Sequence, residues 1–391
     1  MYRRLLPLLV LCSLAGSLFA QDLDHIQIHG FATQGFFYSS NNNYLSADSS
    51  KGSFQWTDGA VSFSDSISDK LRVGVQLHMY QLGQFGGPNI QVDWASGDYK
   101  LSDHFGFRAG KIKTPLGLFN DSQDVDAVHL WALLPQSIYP TDNRSFTLSQ
   151  LGGEFYGSAG LGKHAGTLVY RGYAGYRPMD LNGGYVKSID LALIPIDQAI
   201  GQPVTSISTA PGGKVFGGDI RWQTPLKGLL VGSSAFVEGL DGSAGAVAFH
   251  LSPDTVTQEY AQFERGRFYA AGEVKRQPIN FSAVAGPIVI PYPLDWRSWY
   301  VMTSFRVVER FQIGTYYSHF VSAGAGSDTS LAANYSKDWT ISGRYDFNSY
   351  FYAKLEEHFV HGTELGYYAD TNPTGLQPRS NILAAKIGFS F

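Results

Sequence analysis

The feature that most constrains this chain is a period of two that recurs from one end to the other. It is cleanest between residues 71 and 80. Leu71, Val73, Val75, Leu77 and Met79 share one face, and Arg72, Gly74, Gln76, His78 and Tyr80 share the other. Alternation this regular describes a strand with one apolar and one polar side and excludes a helix. The same pattern runs to the last residue. Leu383, Ala385, Ile387, Phe389 and Phe391 alternate with Ala384, Lys386, Gly388 and Ser390. In a soluble sheet such a final strand would be a sticky edge. A barrel closed within a membrane requires it, because the last strand must pair with the first.

The connections between alternating segments sort into two kinds. Ile26 to Ser39 and Phe54 to Ile67 read as the first two strands, followed by a tight turn at Ser68-Asp69-Lys70. With Asp69, further short turns fall near Ser102, Gly162, Lys227, Gly266, Arg310 and Ser349, seven in all. Polar or Gly/Pro-rich stretches around 40–52, 83–88, 120–150, 179–213, 242–253, 280–296, 323–333 and 367–379 read as eight long loops. Seven turns and eight loops join sixteen strands with both ends of the chain on the short-turn side. Even strand number with short connections on one rim and long ones on the other is the pattern of a transmembrane antiparallel β-barrel. Composition agrees: 44 glycines, 14% aromatic and 16% charged residues, with a mean hydropathy of only -0.11. Past the first twenty residues no run of eighteen apolar residues offers a spanning helix. Trp56, Trp94, Trp222, Trp299 and Trp339 fall near predicted strand ends, where interfacial girdles would lie.

Residues 1–20 read as a secretory signal peptide: Arg3 and Arg4, a short apolar stretch, then Leu18-Phe19-Ala20 before Gln21. A lipoprotein reading of Cys12 fails because Leu11, before it, is not small. The barrel is expected over 21–391, where 27 basic residues against 33 acidic ones give a charge of -6. Mild acidity argues against a nucleic-acid partner. The terminal strand ending in Phe391 resembles that of bacterial outer-membrane barrels, whose final Phe is read by the barrel-assembly machinery. The whole pattern is similar to the sixteen-stranded porins of Gram-negative bacteria. Locally, Arg108-Ala-Gly-Lys-Ile-Lys-Thr-Pro-Leu-Gly-Leu118 resembles a strand of phosphate-selective and related substrate-specific porins. The resemblance implies a water-filled channel in the cell outer membrane, surrounded by lipid and lipopolysaccharide and assembled as a homotrimer. It would pass small hydrophilic solutes by diffusion.

In such a barrel, parity assigns the lumen face. Arg72, Arg108, Arg171, Arg177, Asp219, Arg221, Arg306, Arg344, Asp346, Lys354, Glu356 and Lys386 then point inward. A Lys or Arg on the lipid side at mid-depth costs about 2–4 kcal/mol, which forces the assignment. Lys111 and Lys113 break parity with Arg108, and a bulge near Gly110 would restore them to the lumen. The 120–150 loop, between strands five and six, carries Asp121, Asp124, Asp126, Asp142 and Arg144. Its Val125, Val128, Trp131, Leu134 and Ile138 recur at three- or four-residue spacing and predict a short amphipathic helical turn. The porin resemblance implies that this loop folds into the barrel, apolar side to the wall and acids to the passage. Arg72 and Arg108 would oppose the acids across a low-dielectric constriction, and the basic excess of the wall leans slightly to anions. Two other classes compete. An outer-membrane enzyme of lipase or protease type would need a nucleophile or Asp/His constellation, and no G-x-S-x-G stands here. A non-conducting adhesin or structural barrel would share the same strands. No cofactor is expected, and His358, His361, Glu356 and Glu364 alternate faces too much for a metal site.

Overall fold

In a computed structural model, residues 26–199, 201, 206–207, 209–245, 247–324 and 327–391 are described. The expected signal peptide lies outside them. The strands are β1 Gln27–Ser39, β2 Trp56–Ser66, β3 Leu71–Leu82, β4 Phe85–Lys100, β5 Gly106–Lys113, β6 Ser149–Gly160, β7 Thr167–Arg177 and β8 Thr209–Gln223. They continue as β9 Leu229–Ala244, β10 Val247–Arg265, β11 Phe268–Ala285, β12 Ile288–Val308, β13 Phe311–Ala323, β14 Tyr335–Asp346, β15 Phe351–Gly362 and β16 Arg379–Ser390. Each pairs antiparallel with its neighbours in sequence, and β1 pairs with β16 to close the barrel. Phe391 completes the seam: its N–H donates to Gly30 O at 3.0 Å, and Gly30 N–H donates back at 3.1 Å.

Closure satisfies every ladder without an edge, which is what a strand protein in lipid must do. The alternation then sorts side chains by solvent. Leu77, Val301, Ile341, Leu355 and Ile387 lie exposed on the outer face, while Gln76, Thr340, Glu356 and Lys386 are buried inside. Aromatic rings collect at the short-turn rim, where Phe351, Phe389 and Phe391 pack in series. Trp222 and Trp339 are outward and exposed as a girdle requires. Trp56 and Trp94 are not. Trp56 is buried and stacks on Phe37 at 4.2 Å, with Lys386 Nζ 4.0 Å above its ring. Trp94 donates its indole N–H to Gln76 Oε1 at 2.7 Å. Nearness to a strand end says nothing about face, and these two rings fall on the lumen side of the pleat.

The seven short turns stand where the sequence puts them, but three expected long loops are strand. Residues 83–88, 242–253 and 280–296 belong to hairpins that continue the β3–β4, β9–β10 and β11–β12 ladders beyond the membrane belt. Their Pro, Ser and Asp content suits strands in water on both faces. Pro253 sits at a register shift between Leu251 and Asp254, where a missing N–H is tolerated. Over the mouth, the 40–55 and 363–378 loops meet in one apolar cluster through Tyr44, Leu45, Tyr367 and Tyr368. The helix Gly184–Ala199 lays Val186, Ile189 and Leu193 on the inner faces of the β9–β11 extensions.

Candidate functional site

The segment 114–148, between β5 and β6, touches inward side chains on nearly every part of the wall. Lys113 starts it, with Nζ 2.7 Å from Asp124 and 2.9 Å from Asp121 O. Asp121 then accepts from Arg171 of β7 at 2.6 Å and lies 3.4 Å from Arg221 of β8. Asp124 accepts from Gln76 of β3 at 3.0 Å. Asp126 lies opposite, 2.9 Å from Lys354 of β15 and 2.8 Å from Lys386 of β16, and it takes the Tyr352 hydroxyl at 2.9 Å. Arg344 of β14 donates to His129 O at 2.8 Å. Glu356 of β15 takes the amides of Ala132 and Leu133 at 2.7 and 3.0 Å. On the return, the Tyr139 hydroxyl donates to Glu273 of β11 at 2.6 Å. Asp142 takes the Tyr368 hydroxyl at 2.5 Å, and Arg144 reaches Asp93 of β4 at 2.5 Å.

Two expectations about this segment need correction. No amphipathic helix forms; there are short turns at Asp126–Val128 and Thr141–Asn143 and one helical turn at Arg144–Thr147. Trp131, Leu134 and Ile138 do pack inward on Tyr300, Met302 and Tyr316, but Val128 is exposed. Short spacing cannot distinguish a helix from an extended chain that meets a curved wall repeatedly. Nor do the acids face open water across from the arginines. Asp124, Asp126 and Asp142 are buried; Asp124 and Asp126 contact wall donors directly, and Asp142 takes the Tyr368 hydroxyl of the mouth loop. Burial opposes the charge of Asp126, and the Lys354 and Lys386 ammoniums more than offset it, holding this carboxyl well below its ordinary range. Burial likewise opposes Asp121, and Arg171 and Arg221 outweigh it, so its pKa is lowered.

The remaining expected residues divide by depth. Arg72, next to the short-turn rim, is exposed, and among the described residues it bonds to neutral oxygens, Ser64 Oγ at 2.9 Å and Gln27 Oε1 at 3.2 Å. It pairs with none of the segment's acids, although Asp121 lines the same recess. Arg108 is matched by Asp98 at 2.8 Å and Glu154 at 3.6 Å. Arg72, Arg108 and Lys113 line one recess of about 260 Å³ with Asp98 and Asp121. Arg306 is at the rim and donates to Glu309 O, away from the segment. Lys111 donates to Val92 O. The expected bulge at Gly110 is absent, since both β5 ladders run through it unbroken. The irregularity is across the pair, where Asp93 is the extra residue between Gln76↔Trp94 and Leu77↔Val92. Gly110 answers with φ +126°. That bulge also turns Asp93 into the lumen to meet Arg144 and His78. Asp93 is a wall residue that sequence parity missed. Glu273, buried among Tyr139, Tyr300 and Gln258, is another, and its outward neighbour Val274 could have signalled it; Asp98, Glu154, Glu238 and Lys275 also went unlisted.

No protein-family model matches the chain, and no curated protein matches it in sequence. Solved structures do match in shape. OmpT, an outer membrane protein of Vibrio cholerae in trimer form, aligns with TM-score 0.57 at 10% identity, over 94% of this chain and 99% of that one. The anion-selective porin from Comamonas acidovorans aligns with TM-score 0.57 at 11% identity, over 94% and 99%. Salmonella typhi OmpF, in complex with daunomycin, aligns with TM-score 0.58 at 12% identity, over 94% and 97%. Identity this low speaks for fold alone. The fold is the closed, porin-like sixteen-stranded barrel that these outer-membrane proteins share.

Proposed function

We propose that this protein is a porin whose lumen is narrowed by the 114–148 segment and which passes small hydrophilic solutes or ions by diffusion. The observation that carries the reading is the bracing of that segment against opposite walls through Asp121, Asp124 and Asp126. A segment tied this way restricts a passage without leaving loose charge in it. The slight lean to anions rests on Arg72, whose guanidinium meets neutral partners among the described residues, and on the recess where Arg72, Arg108 and Lys113 outnumber Asp98 and Asp121. A trimer is the assembly this reading favours, in keeping with the trimer form of the Vibrio cholerae protein. Diffusion through the barrel uses no catalytic group and no cofactor, so the protein acts as a channel and not as an enzyme.

The test is a planar-bilayer recording in a salt gradient. Stepwise openings with closure in threes, and a reversal potential on the anion side that moves toward zero in Arg72→Ala/Arg108→Ala, are expected. Absence of conductance would overturn the channel. Cation preference unmoved by the double variant would overturn the anion lean.

A further inference from the structure

On the far side of the bracing segment from Arg72, the barrel encloses a chamber of about 290 Å³. Its wall is the inner face of β7, β9 and β11 to β13; the segment 116–147 forms one side, and helix Gly184–Ala199 with residues 364–368 forms the other. The lining is mixed, with an aromatic set of Phe146, Tyr185, Phe236, Trp296 and Phe320 among polar side chains. Beside these rings the wall sends charge. Arg177, 2% exposed, lies between the Phe146 and Phe236 rings at 5.3 and 5.4 Å and gives Nη1 to Glu238 at 2.7 Å. Its Nε and Nη2 have no partner among the described residues, nor does Glu238 Oε1.

Lys275 is the decisive group. It lines the chamber, and its ammonium has neither hydrogen bond nor ion pair among the described residues. The acids around it are already engaged, Asp142 by the Tyr368 hydroxyl. Glu238 is taken by Arg177, and Glu273 by the Tyr139, Tyr300 and Gln258 side chains. Glu364 also lines the space, but burial pushes its carboxyl up to about 8, so at neutral pH it supplies no balancing charge. Lys275 is half-buried, and a half-buried ammonium with no paired anion favours an anionic ligand. Aromatic walls beside it suit a flat apolar body.

We propose that the chamber is a binding station for a small organic carboxylate with an apolar or aromatic body. The carboxylate would neutralise Lys275, and the body would lie against Phe146 and Trp296. As a stop for a passing solute the station rests on the channel reading; as a binding site it does not.

The test is isothermal titration of the folded, heat-modifiable full chain in detergent with benzoate, and with benzylamine as the cation of matched size. Saturable benzoate binding is expected, at least tenfold weaker in Lys275→Gln and retained in Lys275→Arg, with benzylamine inert. No saturable benzoate binding, equal affinity in folded Lys275→Gln, or tighter binding of benzylamine would each overturn the proposal. Conductance read separately keeps the two readings apart. A chain that conducts without binding benzoate sinks this inference alone, and one that binds but never conducts sinks the channel alone.

Discussion

Asp126→Asn separates the charge of the bracing carboxylate from its shape. The side chain is 8% exposed and meets two ammoniums, Lys354 at 2.9 Å and Lys386 at 2.8 Å. Asparagine keeps the volume but loses the charge and one acceptor, so two buried like charges would be left without an anion. Removing one side of a buried ion pair costs about 3–5 kcal/mol. At about 1.4 kcal/mol per decade this is a shift of roughly a hundredfold to several thousandfold in the local docking equilibrium. The same lysines also hold the Trp131 and Ala132 carbonyls, at 3.0 and 3.2 Å, so loosening should spread through 126–133. Single-channel conductance should rise, with added current noise, and an extracellular protease should cut within 126–133. Lys386→Met in the same chain removes one stranded ammonium and should recover part of the loss, as coupled neighbours do. The carboxyl is held below its ordinary value, so its contribution is present above that value and is lost only as pH falls through the lowered one. Acidification from about pH 7 to about pH 5 should therefore not mimic the variant. A folded Asp126→Asn chain with wild-type conductance, noise and protease resistance would refute the bracing argument.

Glu364 titrates the other way. Burial raises its carboxyl to about 8, so the folded state holds a proton that the unfolded chain releases above its ordinary value. Its contribution to stability should fall as pH rises from about 4.5 to about 8 and level off beyond. Glu364→Gln should flatten that slope in thermal unfolding; an identical slope in the variant would dismiss it. Gly110→Ala meets both a φ of +126° and Ala95 O at 2.3 Å from the new Cβ, so about 1–3 kcal/mol of strain should lower the melting temperature. Gly97→Ala, with nothing within 4 Å, is the matched control and should melt like wild type. Deleting Phe391 removes two seam hydrogen bonds to Gly30 and should reduce folded, heat-modifiable protein more than the conductance of what folds. Normal amounts in the outer membrane would count against that role.

The strands were legible because lipid and water impose opposite demands on alternate residues. Leu77 and His78, or Leu355 and Glu356, cannot exchange faces without a charge or polar group entering lipid. The same demand ends at the membrane surface, and there the reading failed. Along the β11–β12 extension, Pro278, Pro291 and Pro293 stand within the ladder, opposite Asp295, Ser282 and Asn280. With water on both sides nothing forces alternation, so the composition resembled a loop. The inward charges followed from parity, but their partners did not. Asp126 meets Lys354 and Lys386 across 228 and 260 residues, a pairing fixed by where the segment crosses the lumen. A bulge defeats parity outright: Asp93 lies next to Trp94, yet both point inward. Alternation therefore says which residues meet water inside the barrel, while the crossing segment decides which of those charges are neutralised. Lys275 lies near Glu238 and Glu273 and pairs with neither among the described residues, a state that neither its strand position nor its spacing could reveal.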